Sequence, residues 1–186
     1  RPTLLRYDKA KYEDYVTNCL GIKSTAAQYE RAEKLLSQLP MLSLPLEYSY
    51  DFIMDMGGTD TPDKALMPLL KTYVDAETDL SNCHVAQLPA VDGYRLLLIC
   101  GNNAVGEGRF FLCSIDKQGK LTENLLIYTA QTILWKGKEE NSFLHFKVNK
   151  GGQIMLNKTI VHNGKEVVIS KKNIQFRRGI FYSISD

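Results

Sequence analysis

The reactive side chains in this chain are few, and their spacing tests each kind of chemistry quickly. Cys83 and His84 are adjacent, and a thiolate activated by an imidazole needs both side chains on one side of the backbone. The segment around them reads as a strand, where successive side chains point to opposite faces, so the spacing argues against a catalytic pair. No serine sits in a G-x-S-x-G elbow, and no H-E-x-x-H or C-x-x-C spacing occurs. His145 lies between apolar neighbours inside a predicted strand and reads as a half-buried, satisfied side chain. His162 flanks Asn163-Gly164 and reads as a solvated turn residue. Cys19, Cys83, Cys100 and Cys113 each fall within an apolar pattern, where a free thiol packs as a small hydrophobe. The expectation is no metal site and no cofactor.

Two other segments invite a ligand. Asp51, Asp55, Asp60 and Asp63 flank Gly57-Gly58 and could surround a hard cation, but they do not follow the D-x-[DN]-x-[DN]-G calcium loop. Gly101-Asn-Asn-Ala-Val-Gly106-Glu-Gly108 lacks the lysine and the following helix of a phosphate-binding loop, and reads as a strand connection.

Charge is more informative than motif. Residues 1–93 carry 14 acids and 9 bases, whereas residues 94–186 carry 7 acids and 14 bases. Eight acids lie in residues 47–79, and seven bases (Lys150, Lys158, Lys165, Lys171, Lys172, Arg177 and Arg178) lie in residues 150–178 against Glu166 alone. One reading has the two patches complement each other within one fold; the other gives the basic one to an anionic ligand or an acidic partner protein. Nucleic acid fits less well, because the sequence pI of 8.3 is below that of a dedicated nucleic-acid domain. Along residues 171–178 strand alternation sets Lys171, Asn173, Gln175 and Arg177 on a wholly polar face, with Ile174 and Phe176 anchoring the other. Lys171 and Arg177 are therefore candidate binding residues. Trp135, the single tryptophan, stands before the polar run Lys136-Gly-Lys-Glu-Glu140 and is the third candidate, able to stack on a sugar or fill a partner's pocket.

The elements that must position these residues follow from periodicity and turn chemistry. Tyr12, Tyr15, Val16, Cys19 and Leu20 form one helical stripe over residues 8–21, closed by Gly21. A second helix is predicted from a capping box at Thr25-x-x-Gln28 to the stop at Pro40, so residues 1–40 read as a helical hairpin. Even positions from Leu42 to Met56 are all apolar and predict a strand interrupted near Pro45, while Thr61-Pro62-Asp63 predicts the start of a short helix. Residues 82–186 read as nine strands joined by short turns: 84–88, 94–100, 109–115, 121–128, 133–136, 143–148, 153–161, 166–176 and 180–184. Connections this short cannot make parallel crossovers, so the sheet must be antiparallel. Residues 110–121 and 143–154 also resemble each other at an offset of 33, most simply because both are hairpins with one turn chemistry.

At 186 residues the chain is long enough to bury a core, and at 44% hydrophobic and 24% charged residues it is too apolar for a disordered one. No run of about 18 apolar residues is present to span a membrane as a helix. The combined expectation is a single α+β domain over residues 1–186. It comprises a helical hairpin (1–40), a mixed strand and short-helix segment (41–81) and a curled or partly closed antiparallel β-meander (82–186). The function it suggests is a non-enzymatic binding or structural module exported to the bacterial envelope, periplasmic or at the cell surface, with the polar start after Pro2 suiting a tether or lipid anchor. The alternatives are a hydrolase acting on an envelope or glycan substrate with carboxylates assembled by the fold, and a cytoplasmic location.

The apolar setting of every cysteine has a direct readout. Thiol titration of denatured, unreduced protein should count four free groups; a count of two would establish a disulfide.

Overall fold

The computed structural model describes residues 25–57 and 61–184. The helix predicted over residues 8–21 lies outside them, so the expected helical hairpin is represented by one helix, α1 (Thr25–Ser37). Tyr29, Ala32 and Leu36 are buried on one of its sides, at the i, i+3, i+7 spacing of an amphipathic helix. Its last carbonyls are capped from a distance. The buried Gln87 amide donates to Ser37 O (3.3 Å) and Leu39 O (3.0 Å), and Gln87 Oε1 accepts from Arg95 at 3.1 Å.

The strand expected over residues 42–56 is a correction. Only β1 (Leu46–Glu47) is extended, and α2 (Tyr50–Gly57) follows at once. The reason is Ser49. Its hydroxyl accepts from Phe52 N (3.0 Å) and its carbonyl from Ile53 N (3.1 Å), the bonding of a helix N-cap. Phe52, Ile53 and Met56 then form a helical stripe against the core, while Tyr50 and Met54 stay exposed. The helix expected from Pro62 begins later, because Asp63 is the cap: its carboxylate accepts from Ala65 N at 2.9 Å. A 3₁₀ turn (Lys64–Leu66) leads into α3 (Met67–Leu70), and Pro68 sits in the first turn of α3, where its missing N–H leaves no bond unmade.

The meander is as expected in its antiparallel order. Strands β2 (Asp79–Val91), β3 (Tyr94–Asn102), β4 (Gly108–Ile115), β5 (Leu121–Trp135), β6 (Lys138–Val148), β7 (Gln153–His162), β8 (Lys165–Arg177) and β9 (Ile180–Ile184) pair consecutively, and β1 pairs with β6. Residues 121–128 and 133–136, expected as two strands, are one, because Gln131 and Thr132 continue the ladder opposite Ser142 and Asn141. β5 thus changes partner midway, from β4 up to Thr129 to β6 beyond it. β6 in turn loses β5 after Leu144, and β1 takes the vacated edge at Lys147 and Val148. The sheet curls until its last hairpin meets its first turn: Arg178 N donates to Asp92 Oδ2 (3.0 Å), and Thr122 Oγ1 on β5 donates to Gly179 O (2.7 Å).

The 33-residue similarity has its explanation in a third copy. Asp116–Lys120, Asn149–Gln153 and Asn103–Glu107 all close with the first residue's N–H donating to the fifth's carbonyl, and the fourth residue, a glycine each time, donating back. The resemblance is shared turn chemistry. Gly119 is needed twice over, since its φ is +83° and a Cβ there would fall 2.1 Å from the Tyr29 ring.

Two apolar cores result. The inside of the curl holds Leu96, Leu98, Leu112, Ile127, Phe146 and Phe176 under α2. The outside of β2–β4 packs Leu97, Ile99, Phe111 and Cys113 against α1, α3 and Tyr73. Cys83, Cys100 and Cys113 are free and buried, and burial raises each thiol above its ordinary range.

Asn163 (φ 52°) and Gly164 (φ 73°) are both left-handed, as a two-residue hairpin between His162 and Lys165 requires. Replacing Gly164 by Val should lower stability by about 1–2 kcal/mol in a denaturant melt; an unchanged midpoint would contradict this turn.

Candidate functional site

Where β5 leaves β6, the outer face of β6–β8 is concave. The register sets His145, Asn157 and Lys171 side by side on one rung, Lys147, Met155 and Asn173 on the next, and Thr159 opposite Val168. Tyr48 comes to this face from the end of β1, held by its N–H to Phe146 O at 2.9 Å. Tyr48, His145, Lys147, Met155, Asn157, Thr159 and Val168 line a groove of about 470 Å³, which Glu47 and Glu166 also border.

The centre of the groove is a cluster of ionisable and aromatic groups. His145 Nε2 stands 2.5 Å from Glu166 Oε1, and the same oxygen accepts from Thr159 Oγ1 at 2.6 Å. The imidazole approach lies off the N–H axis, so the contact is one of charge when His145 is protonated and not a hydrogen bond. The Tyr48 ring meets His145 edge-on with centroids 4.0 Å apart and stacks on Tyr128 at 5.5 Å. Burial, and secondarily the Glu166 charge, hold the Tyr48 phenol protonated above its ordinary range. Burial and then the neighbouring Tyr48 push Tyr128 up to about 12. The groove therefore offers a neutral phenol, an amide, an ammonium and an imidazole beside a carboxylate, a set able to hydrogen-bond hydroxyl groups or to move a proton.

The three candidates from the sequence are not brought together. Trp135 ends β5 at the hairpin tip, half-buried, with the Lys136 ammonium 5.7 Å from its ring centroid. Lys136 (φ 47°) and Gly137 (φ 79°) turn the chain there, so the expected polar loop is a tight hairpin. Lys171 and Arg177 are both exposed on β8, six residues or about 20 Å apart. Lys171 shares its rung with Asn157 and His145, which puts it beside the groove; Trp135 and Arg177 are remote from it. Ile174 and Phe176 are buried, as the alternation required.

The groove itself was missed, because residues 48, 145 and 166 meet only through strand register. Of the remaining sequence candidates, His162 pairs with Glu140 at 3.2 Å, and Cys83 is buried while His84 is half-exposed. Asp51 and Asp55 lie exposed on α2, Asp63 caps the 3₁₀ turn, and Asp60 is outside the described residues. Among the described residues no three metal-binding side chains gather, and no helix is long and apolar enough to cross a membrane. Comparison with known proteins gives no match: no family model fits the chain, and neither a curated protein nor a solved structure is significantly similar to it.

The stacked phenols make a prediction. An unfolded tyrosine ionises near 10, whereas folded Tyr128 ionises near 12, so the unfolded state loses its proton first. Stability should be fully present below pH 10 and fall between about pH 10 and 12, and Tyr128→Phe should flatten that decline. An identical alkaline profile in the variant would contradict the raised phenol.

Proposed function

We propose that the protein is a non-enzymatic binding module that engages an anionic partner through the basic surface of β7 and β8. The observation that carries this reading is that, among the described residues, none of the seven bases in residues 150–178 takes part in an ion pair, and all but Lys158 are exposed. The acidic stretch, by contrast, is partly engaged elsewhere. Asp63 caps a turn, Asp79 accepts from Ser81 N, and Asp75 pairs with Arg109 at 2.5 Å. Burial alone would raise the Asp75 carboxyl, but hydrogen bonds from Arg109 and Thr78 hold it below the usual range. Pairing among the described residues therefore leaves the basic surface unneutralised, which supports a role in long-range attraction. A glycan, lipid head group or acidic protein of a bacterial envelope would meet that requirement, and export to the envelope belongs to the same proposal.

The rival reading, a hydrolase on an envelope or glycan substrate, is favoured by one observation: Glu47, Glu166 and His145 border a single groove. Release of reducing ends from an envelope polysaccharide by the parent protein, abolished in Glu166→Gln, would establish it over the binding module.

For the binding module the expected result is specific. Changing Lys171 and Arg177 to Ser should leave the denaturation midpoint unchanged, since exposed unpaired charges add little stability, yet lower the salt needed to elute the protein from heparin. Co-elution of variant and parent would contradict the proposal.

A further inference from the structure

β8 offers a partner more than charge. β9 pairs with it only over Asn173–Arg177, so from Lys165 to Lys172 β8 has β7 on one side and no strand on the other among the described residues. A strand edge left in this way presents a row of backbone N–H and C=O groups, the template on which an extended chain adds. Val167 and Val168 are 46% and 47% exposed along it. Lys165, Lys171 and Lys172 bracket the valines, exposed and without ion pairs among the described residues. The carboxylate on this edge, Glu166, is turned toward Thr159 and His145.

We infer that this edge is the docking site for an extended acidic segment of a partner protein, which joins β8 as an additional strand. The inference rests on the anionic-partner reading and makes it specific. Backbone pairing requires a polypeptide, which separates it from a glycan or a lipid head group. Charge decides between polypeptides. A second copy pairing antiparallel over the same edge would set Lys165 against Lys172 at both ends, which is unfavourable across strands, with Lys171 opposite a Glu166 already engaged by Thr159 and His145. A segment with carboxylates toward both of its ends would instead meet the lysines of both faces with opposite charge. Val167 and Val168 are consecutive and point to opposite faces, so two adjacent apolar residues in the middle of the segment, one on each face, would cover them. At about 3.3 Å per residue the free edge accommodates a segment of about eight residues.

The test uses a fluorescent peptide of about eight residues, a central Val-Val pair flanked on each side by glutamates, and the same peptide with every amide N-methylated. Both carry the same charge, but only the first can pair as a strand. The unmethylated peptide should bind at least about tenfold more tightly, and changing Lys165, Lys171 and Lys172 to Ser should abolish most of that binding. Equal binding of the two peptides would overturn strand addition while leaving the anionic-partner reading in place. Binding of neither, with retention on heparin intact, would overturn it as well; loss of both would remove the underlying reading. Light scattering that showed a dimer undisturbed by the peptide would assign the edge to a second copy and overturn the inference.

Discussion

The structure depends on β3 being buried on both faces. Leu96, Leu98 and Cys100 point into the curl, and Leu97 and Ile99 point out of it under α1 and α3; all five are no more than 4% exposed. An antiparallel sheet usually keeps one face in water, and its strands then alternate. Here the first strands of the meander carry apolar residues on both sides, so each face must find a cover. The outer cover is the helical layer, fixed by Gln87, which satisfies the end carbonyls of α1, and by Tyr73, whose hydroxyl donates to Gly119 O at 2.7 Å. The inner cover is the sheet's own curl, completed by α2.

That requirement divides the sheet into two regions with different duties. β2–β4 are enclosed, and their polar groups serve packing, as in the Arg109–Asp75 pair. β6–β8 have helix and core on one side only. Their outer face is free to carry His145, Asn157, Lys147 and Lys171, and the far half of β8 runs past the core with alternation lost and most of its side chains exposed. The change of partner by β5 marks the boundary between the two. β1 then fills the edge β5 leaves, and in doing so it delivers Tyr48 to the groove. The candidate site is thus a consequence of how the sheet curls.

Much of the fold was legible in the sequence for local reasons. The unbroken apolar run Leu96–Cys100 within the strand read at 94–100 fits a strand with no wet face, Asn163-Gly164 marked its turn, and the short connections required an antiparallel order. The failures were also local. Residues 42–56 satisfy a period of two and, through Ser49, Phe52, Ile53 and Met56, a helical spacing as well; the cap at Ser49 decides for the helix. Gln131 and Thr132 looked like a break because polar residues in a strand are uninformative without their partners. Of the site, Lys171 and the exposed polar face of β8 could be read from alternation alone. The meeting of Tyr48, His145 and Glu166 could not, because it depends on register across β1, β6, β7 and β8, which no local pattern encodes.

The claim that one doubly buried strand organises the molecule is tested most directly by native-state hydrogen exchange resolved by residue. The amides of Leu96–Cys100 should exchange only through global unfolding, with protection equal to the full unfolding free energy. Amides of β8 between Lys165 and Lys172 should exchange faster by local opening. If β3 exchanged as readily as that edge, the enclosed strand would not be the element on which the rest depends.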